Sequence, residues 1–126
     1  QKTAYEIKEC DWSSDVCSSD LYVDASTPAA AGQVIVLYCT GLGEVTPSVA
    51  TGAAASLTQL SRTTNPVSLT IGGVTAQVAF SGLAPGFVGL YQVNAVVPTG
   101  VAAGSQVPVV ITSAGQSSAP VTIAIK

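Results

Sequence analysis

The sequence predicts an all-β domain, a two-sheet sandwich of about six or seven strands. Three observations carry the prediction. Apolar residues recur at every second position in segment after segment, the period of a strand with one buried face. Glycine- and proline-bearing turn signals separate these segments at short intervals, as all-β folds require. The one continuous apolar run, within Gln33 to Cys39, is rich in Val and Ile and so favours a strand buried on both faces over a helix.

The first 21 residues differ from the remainder of the chain. QKTAYEIKECDWSSDVCSSDL holds Lys2 and Lys8 against Glu6, Glu9, Asp11, Asp15 and Asp20. The rest balances Asp24 and Glu44 against Arg62 and Lys126, so the net charge of −3 resides in the opening segment. That segment also holds the only Trp, Trp12, and two of the three cysteines, Cys10 and Cys17, whereas all twelve Gly and all seven Pro lie beyond it. DWSSDVCSSDL, preceded by QKTAYE, resembles the in-frame translation of a sequencing-library adapter, with Ile7-Lys8-Glu9 where the sample index falls. Residues 1–21 are therefore expected to be a non-native, disordered segment, set apart from the fold as a tag is. They hold no apolar stretch of the roughly 7–15 residues that a signal peptide needs. Cys10 and Cys17 are separated by six residues in a chain without His, which matches no zinc spacing. On this reading the protein is the C-terminal part of a longer polypeptide, and residues 22–126 form its one domain.

Taken in order, Tyr22 to Ala31 reads as a loop or the remnant of a first strand. Gly32 opens the apolar run, and Thr40-Gly41-Leu42-Gly43 ends it with a tight turn or bulge. TGLG lacks the Lys and the spacing of a phosphate-binding loop. Glu44 to Asn65 is a connection of about twenty residues, longer than most, with a short edge strand expected near Ser56–Leu60. Val67-Ser68-Leu69-Thr70-Ile71 alternates, Gly72-Gly73 turns, and the return strand sets Val74, Ala76, Val78 and Phe80 on one face. Two successive glycines suit a two-residue hairpin turn because both central residues need positive φ. Ser81 to Gly86 reads as a loop, and Phe87 to Val97 as a strand with Tyr91, Val93, Ala95 and Val97 on one face and Gln92 and Asn94 on the other. Gln106–Thr112 and Val121–Ile125 close the chain. Pro108 cannot donate to a ladder, so it lies at a sheet edge or turns its nitrogen away from a neighbour.

A family resemblance rests on these residues. GQVIVLYCTGLGEVTP, followed by VSLTIGGVTAQVAFSGLAPGFVGLYQVNAVVPTGVAAGSQVPVVITSAGQSSAPVTIAI, resembles the Solibacter-type uncharacterised C-terminal domain, which is similar in turn to the IPT/TIG branch of immunoglobulin-like folds. The match covers nearly all of residues 28–126, through TGLG, IGG, APGFVGLYQVN and VP. The resemblance implies an immunoglobulin-like sandwich, an extracellular setting and a place at the end of a large secreted bacterial protein. It implies no activity. It also implies a first strand upstream of residue 22.

Composition narrows the chemistry. Without His, the chain can form no Ser-His-Asp or Cys-His arrangement and no imidazole metal site. Beyond residue 21 the acids are Asp24 and Glu44, a poor start for a glycosidase pair or for the six to eight oxygens around calcium. Arg62 and Lys126 are too few to neutralise phosphates, so no nucleic-acid partner is expected. No apolar run approaches the ~18–20 residues of a membrane helix. No cofactor, metal site or catalytic residue is expected.

The remaining candidates are modest. Cys39 reads as a small apolar core residue, with a reactive thiol or an intermolecular disulfide as the alternative. Tyr38 and Tyr91 read as core or corner residues rather than sugar platforms. Gln92 and Asn94 are a pair of amides that either bind a polar ligand or satisfy loop backbone groups. The expected function is a non-catalytic structural or attachment module on a secreted or cell-surface bacterial protein, whose partners are upstream domains and a cell surface or polysaccharide. The alternative is a carbohydrate-binding accessory domain, which needs exposed rings among Tyr22, Tyr38, Phe87 and Tyr91. Self-association through an unpaired strand edge is a third reading.

Overall fold

The computed structural model describes residues 26–126, together with residues 4–10 as a backbone strand. Among the described residues there is no helix, and the named strands pair antiparallel. They are β1 (Ala4–Cys10), β2 (Val34–Cys39), β3 (Val45–Thr46), β4 (Arg62–Thr63), β5 (Val67–Ile71), β6 (Val74–Leu83), β7 (Tyr91–Val96), β8 (Gly104–Ser113), β9 (Gln116–Ser117) and β10 (Val121–Ile125). The main path runs β1-β2-β7-β6-β5-β8-β10, with β3, β4 and β9 attached at its sides. The two expected sheets are thus joined, because the ten-residue β6 belongs to both. Its first residues pair with β5 and the remainder with β7.

Turn chemistry sets the register. Gly72 and Gly73 both have positive φ, 59° and 80°, so a two-residue turn links Ile71 to Val74 and hands alternation straight from β5 to β6. The β8–β9 turn is built the same way, but its first residue is Ala114, at φ 51°. Pro108 is not at an edge: β8 lies between β5 and β10. Its carbonyl accepts from the Gly72 N–H at 2.8 Å. Because a strand residue turns its N–H and C=O to the same side, the missing N–H falls beyond the last β5 residue. The nitrogen is thus turned away from β10 and toward the turn that follows β5.

One facing assignment is corrected. Phe80 does not share a face with Ala76 and Val78. Val78 is paired with Ala95 and Phe80 with Asn94, so Ala79 is an extra residue. Such a bulge reverses the alternation after it. Phe80 therefore opposes Asn94 on the outer face, where the Arg62 guanidinium sits 4.9 Å from its ring centre. Beyond the bulge β6 runs on to Leu83, into the stretch expected to be a loop. Gly82 is required there by close approach: an added Cβ meets the Ser61 carbonyl oxygen at 2.1 Å.

Other expectations shift too. Residues 56–60 form no strand; instead Ala54 bridges Val88, and the short β4 comes after them. The strand expected from Phe87 begins only at Tyr91, since residues 84–90 close a loop in which the Ala84 N–H donates to the Leu90 carbonyl at 2.8 Å. Within the segment read as adapter-derived and disordered, residues 4–10 differ from expectation by forming β1 against β2. The rest of that segment lies outside the described residues.

A single core lies between the two halves of the bent sheet. Ile35, Leu37 and Val93 from one half meet Leu69, Val109, Ile111 and Ile123 from the other. Beside β2 and β10, Ala29 joins the halves. It bridges Ile125 in parallel, and four residues later Gln33 accepts from the Val97 N–H at 2.8 Å.

Candidate functional site

The long connection from Glu44 to Asn65 builds a concavity at one end of the domain. Its first part packs as β3 against β4, and β4 in turn meets β6 at Gly82. Farther on, Ala55 donates to the Phe87 carbonyl at 3.0 Å and accepts from the Gly86 N–H at 2.8 Å. The two loops are thereby fastened together at one end of the domain. Between them and the start of β7 lies a cleft of about 570 Å³, a volume within the range of small-molecule sites.

The cleft wall mixes hydroxyls with apolar groups. Thr46, Ser48, Thr51, Thr64 and Tyr91 supply hydroxyls, Glu44 a carboxylate, and Val45, Val49, Leu83 and Val88 the apolar surface. Tyr91 fixes the geometry. Its hydroxyl donates to the Gly43 carbonyl at 2.5 Å, and the Thr64 hydroxyl donates to the Glu44 carbonyl at 3.3 Å. Each hydroxyl keeps acceptor capacity for a ligand. Burial raises the Tyr91 phenol above its ordinary value near 10, and the nearby Cys39 adds to the rise. Tyr91 is therefore a neutral donor at physiological pH.

Exposed apolar side chains crowd this end. Leu57 is 79% exposed, Phe87 57% and Val88 58%. The first belongs to the long connection and the other two to the loop bonded to it. Leu57 lies over Gly86, its Cδ2 about 3.1 Å from where a Cβ there would stand. Elsewhere the outward positions are mostly small or polar, so this cluster stands apart from the scattered apolar residues normal on any surface.

The residues singled out from sequence are dispersed. Cys39 is a buried thiol in the core, as a small apolar residue is placed. Tyr38 is half-buried on β2, away from Phe87, which lies in the loop before β7. Gln92 and Asn94 do not serve loop backbone in the contacts observed; the Gln92 side-chain N–H donates to the Asn94 side-chain carbonyl at 2.9 Å, with Asn94 buried. Glu44 is exposed on the cleft. Asp24, Tyr22, Trp12 and Cys17 lie outside the described residues. Among the described residues no cluster of His, Cys, Asp and Glu could hold a metal, and no helix is long and apolar enough to cross a membrane.

Sequence reasoning missed the hydroxyl-lined cleft and the placing of Leu57 over the loop that carries Phe87 and Val88. One signal was present: a connection of about twenty residues exceeds ordinary loop lengths and is characteristic of functional loops. No family model, no curated protein and no solved structure matches the chain.

Proposed function

We propose that the chain is a non-catalytic, immunoglobulin-like module at the C-terminus of a larger secreted or cell-surface bacterial protein, and that it serves attachment. The observation that carries this reading is the exposed apolar cluster of Leu57, Phe87 and Val88 on two fastened loops. A group of exposed apolar side chains on a charge-poor surface is the physical basis of a contact with another macromolecule. The sequence resemblance, the all-β architecture and the lack of His support the same reading. Depletion of the full chain from solution by whole bacterial cell walls tests it. The intact chain is expected to bind, and the triple variant L57S/F87S/V88S to bind about tenfold more weakly, equivalent to ~1.4 kcal/mol, with an unchanged melting temperature. Equal binding by both proteins, or a hydrolytic activity that purifies with the chain, overturns it.

The cleft favours a second reading, a carbohydrate-binding accessory domain. Its volume suits one or two sugar rings, and its hydroxyls offer the paired donors and acceptors that such rings need. Of the candidate rings, Phe87 is exposed and Tyr91 lines the cleft. Titration with soluble oligosaccharides, followed by the chemical shifts of Glu44 and Tyr91, separates the two readings. Shifts confined to those residues support the sugar site.

A further inference from the structure

β2 is built as an interior strand but relies on an unusual neighbour. Val34, Ile35, Val36, Leu37 and Cys39 are all buried. Ile35, Leu37 and Cys39 belong to the shared core, whereas Val34 and Val36 lie on the opposite face by strand alternation. On one side β2 is paired with β7 in continuous register. On the other the neighbour is β1, and β1 ends the sheet path. An edge as apolar as that of β2 left without a partner is a template for association.

The register shows what that neighbour should be. The position of Lys8 pairs with Val36, that of Glu9 with Ile35, and those of Ile7 and Cys10 with Leu37 and Val34. Directly opposed residues are the unit of sheet stabilisation, and apolar β-branched pairs are the favourable ones opposite Val and Ile. β1 instead carries three charged residues in seven, Glu6, Lys8 and Glu9. The ladder holds through main-chain bonds, which are indifferent to side-chain type. The slot is generic in backbone and mismatched in sequence.

We propose that the outer edge of β2 is an acceptor site for a β-strand donated by a partner polypeptide. The donated segment enters antiparallel, takes the register now held by residues 4–10, and presents consecutive apolar, β-branched residues to Val34–Leu37. Main-chain bonds supply affinity and the apolar run supplies selectivity, as in other cases of strand addition. The inference deepens the attachment reading by naming a mode of attachment, and it uses a different surface from the Leu57–Phe87–Val88 cluster.

The test uses the full chain and a synthetic probe, Val-Ile-Val-Val flanked by lysine pairs and labelled for anisotropy. Val36 and Tyr38 turn their backbone groups toward β1, since Ile35, Leu37 and Cys39 turn theirs toward β7. In the variant E6P/K8P, prolines therefore remove the ladder donors opposite them and empty the slot. This variant is expected to bind the probe saturably and to reject a probe with Lys-Glu in place of the central Ile-Val. The unaltered chain should bind at least about tenfold more weakly, since its tethered strand competes at a millimolar effective concentration. A folded E6P/K8P protein that ignores the probe overturns the proposal, as does one that dimerises instead of binding it. A second measurement needs no emptied slot: K8V/E9I in the full chain is expected to raise the melting temperature, and a fall or no change overturns the proposal. Retained probe binding by L57S/F87S/V88S separates failure of the loop-attachment reading from failure of this one.

Discussion

Tyr91 joins three parts of the molecule through one side chain. It begins β7, packs against the core, and donates to the Gly43 carbonyl at the cleft. Because its folded-state pKa is raised, chiefly by burial, the contribution is complete below the unfolded value near 10 and is lost as pH climbs toward the folded value. The melting temperature of the native chain should therefore fall more steeply above pH 10 than that of Tyr91→Phe. Near pH 7 Tyr91→Phe should cost about 1 kcal/mol, the net worth of one hydrogen bond. Thermal denaturation across pH 7–11 reads both effects. Gly82 is a residue with a single permitted identity. Its position was visible in the sequence, but its reason was not, because the Ser61 backbone that excludes a Cβ comes from the opposite end of a distant loop. Gly82→Ala should destabilise by about 3 kcal/mol, at the upper end for overpacking because backbone must move. Chemical denaturation measures it.

At the scale of elements, legibility followed the locality of the cause. The Val67–Ile71 strand and the Gly72-Gly73 turn were legible to the residue, because alternation and positive φ are properties of adjacent positions. The face of Phe80 was not. The bulge at Ala79 falls within the pairing of β6 with β7, just after β6 has passed from β5 to β7, and neither partner is encoded in the residues around it. The cleft was illegible for the same reason, being assembled from Thr46, Thr64 and Tyr91 only once β3, β4 and β7 are brought together. The Ala114 turn yields a prediction at this scale. An alanine at φ 51° bears a left-handed strain of roughly 1 kcal/mol that Asn tolerates better. Ala114→Asn should raise the melting temperature by a few degrees, on the scale of about 4–8 °C per kcal/mol for a domain near this size, and a calorimetric scan decides it.

The molecule as a whole has one core and one strand common to both halves of its sheet. The all-β class was legible because it depends only on period and turns, whereas the joining of the two halves through β6 depends on their relative placement. A shared core should make unfolding a single event. Leu37→Ala in one half and Ile111→Val in the other should each lower the same transition, by about 2–5 and 0.5–1.5 kcal/mol respectively, without splitting it.

The bridge between Ala29 and Ile125 has a mechanical consequence. The two segments run in the same direction, and the bonds from the Ala29 N–H to the Ala124 carbonyl and from the Lys126 N–H to the Ala29 carbonyl lie side by side at 2.9 Å each. Tension drawn backward on the chain before Ala29 and forward at Lys126 slides these segments past each other. Both bonds then share the load together instead of opening in turn like a zip. A domain clamped in this way resists stretching along its own axis far better than its few hydrogen bonds suggest, a useful property in a tether.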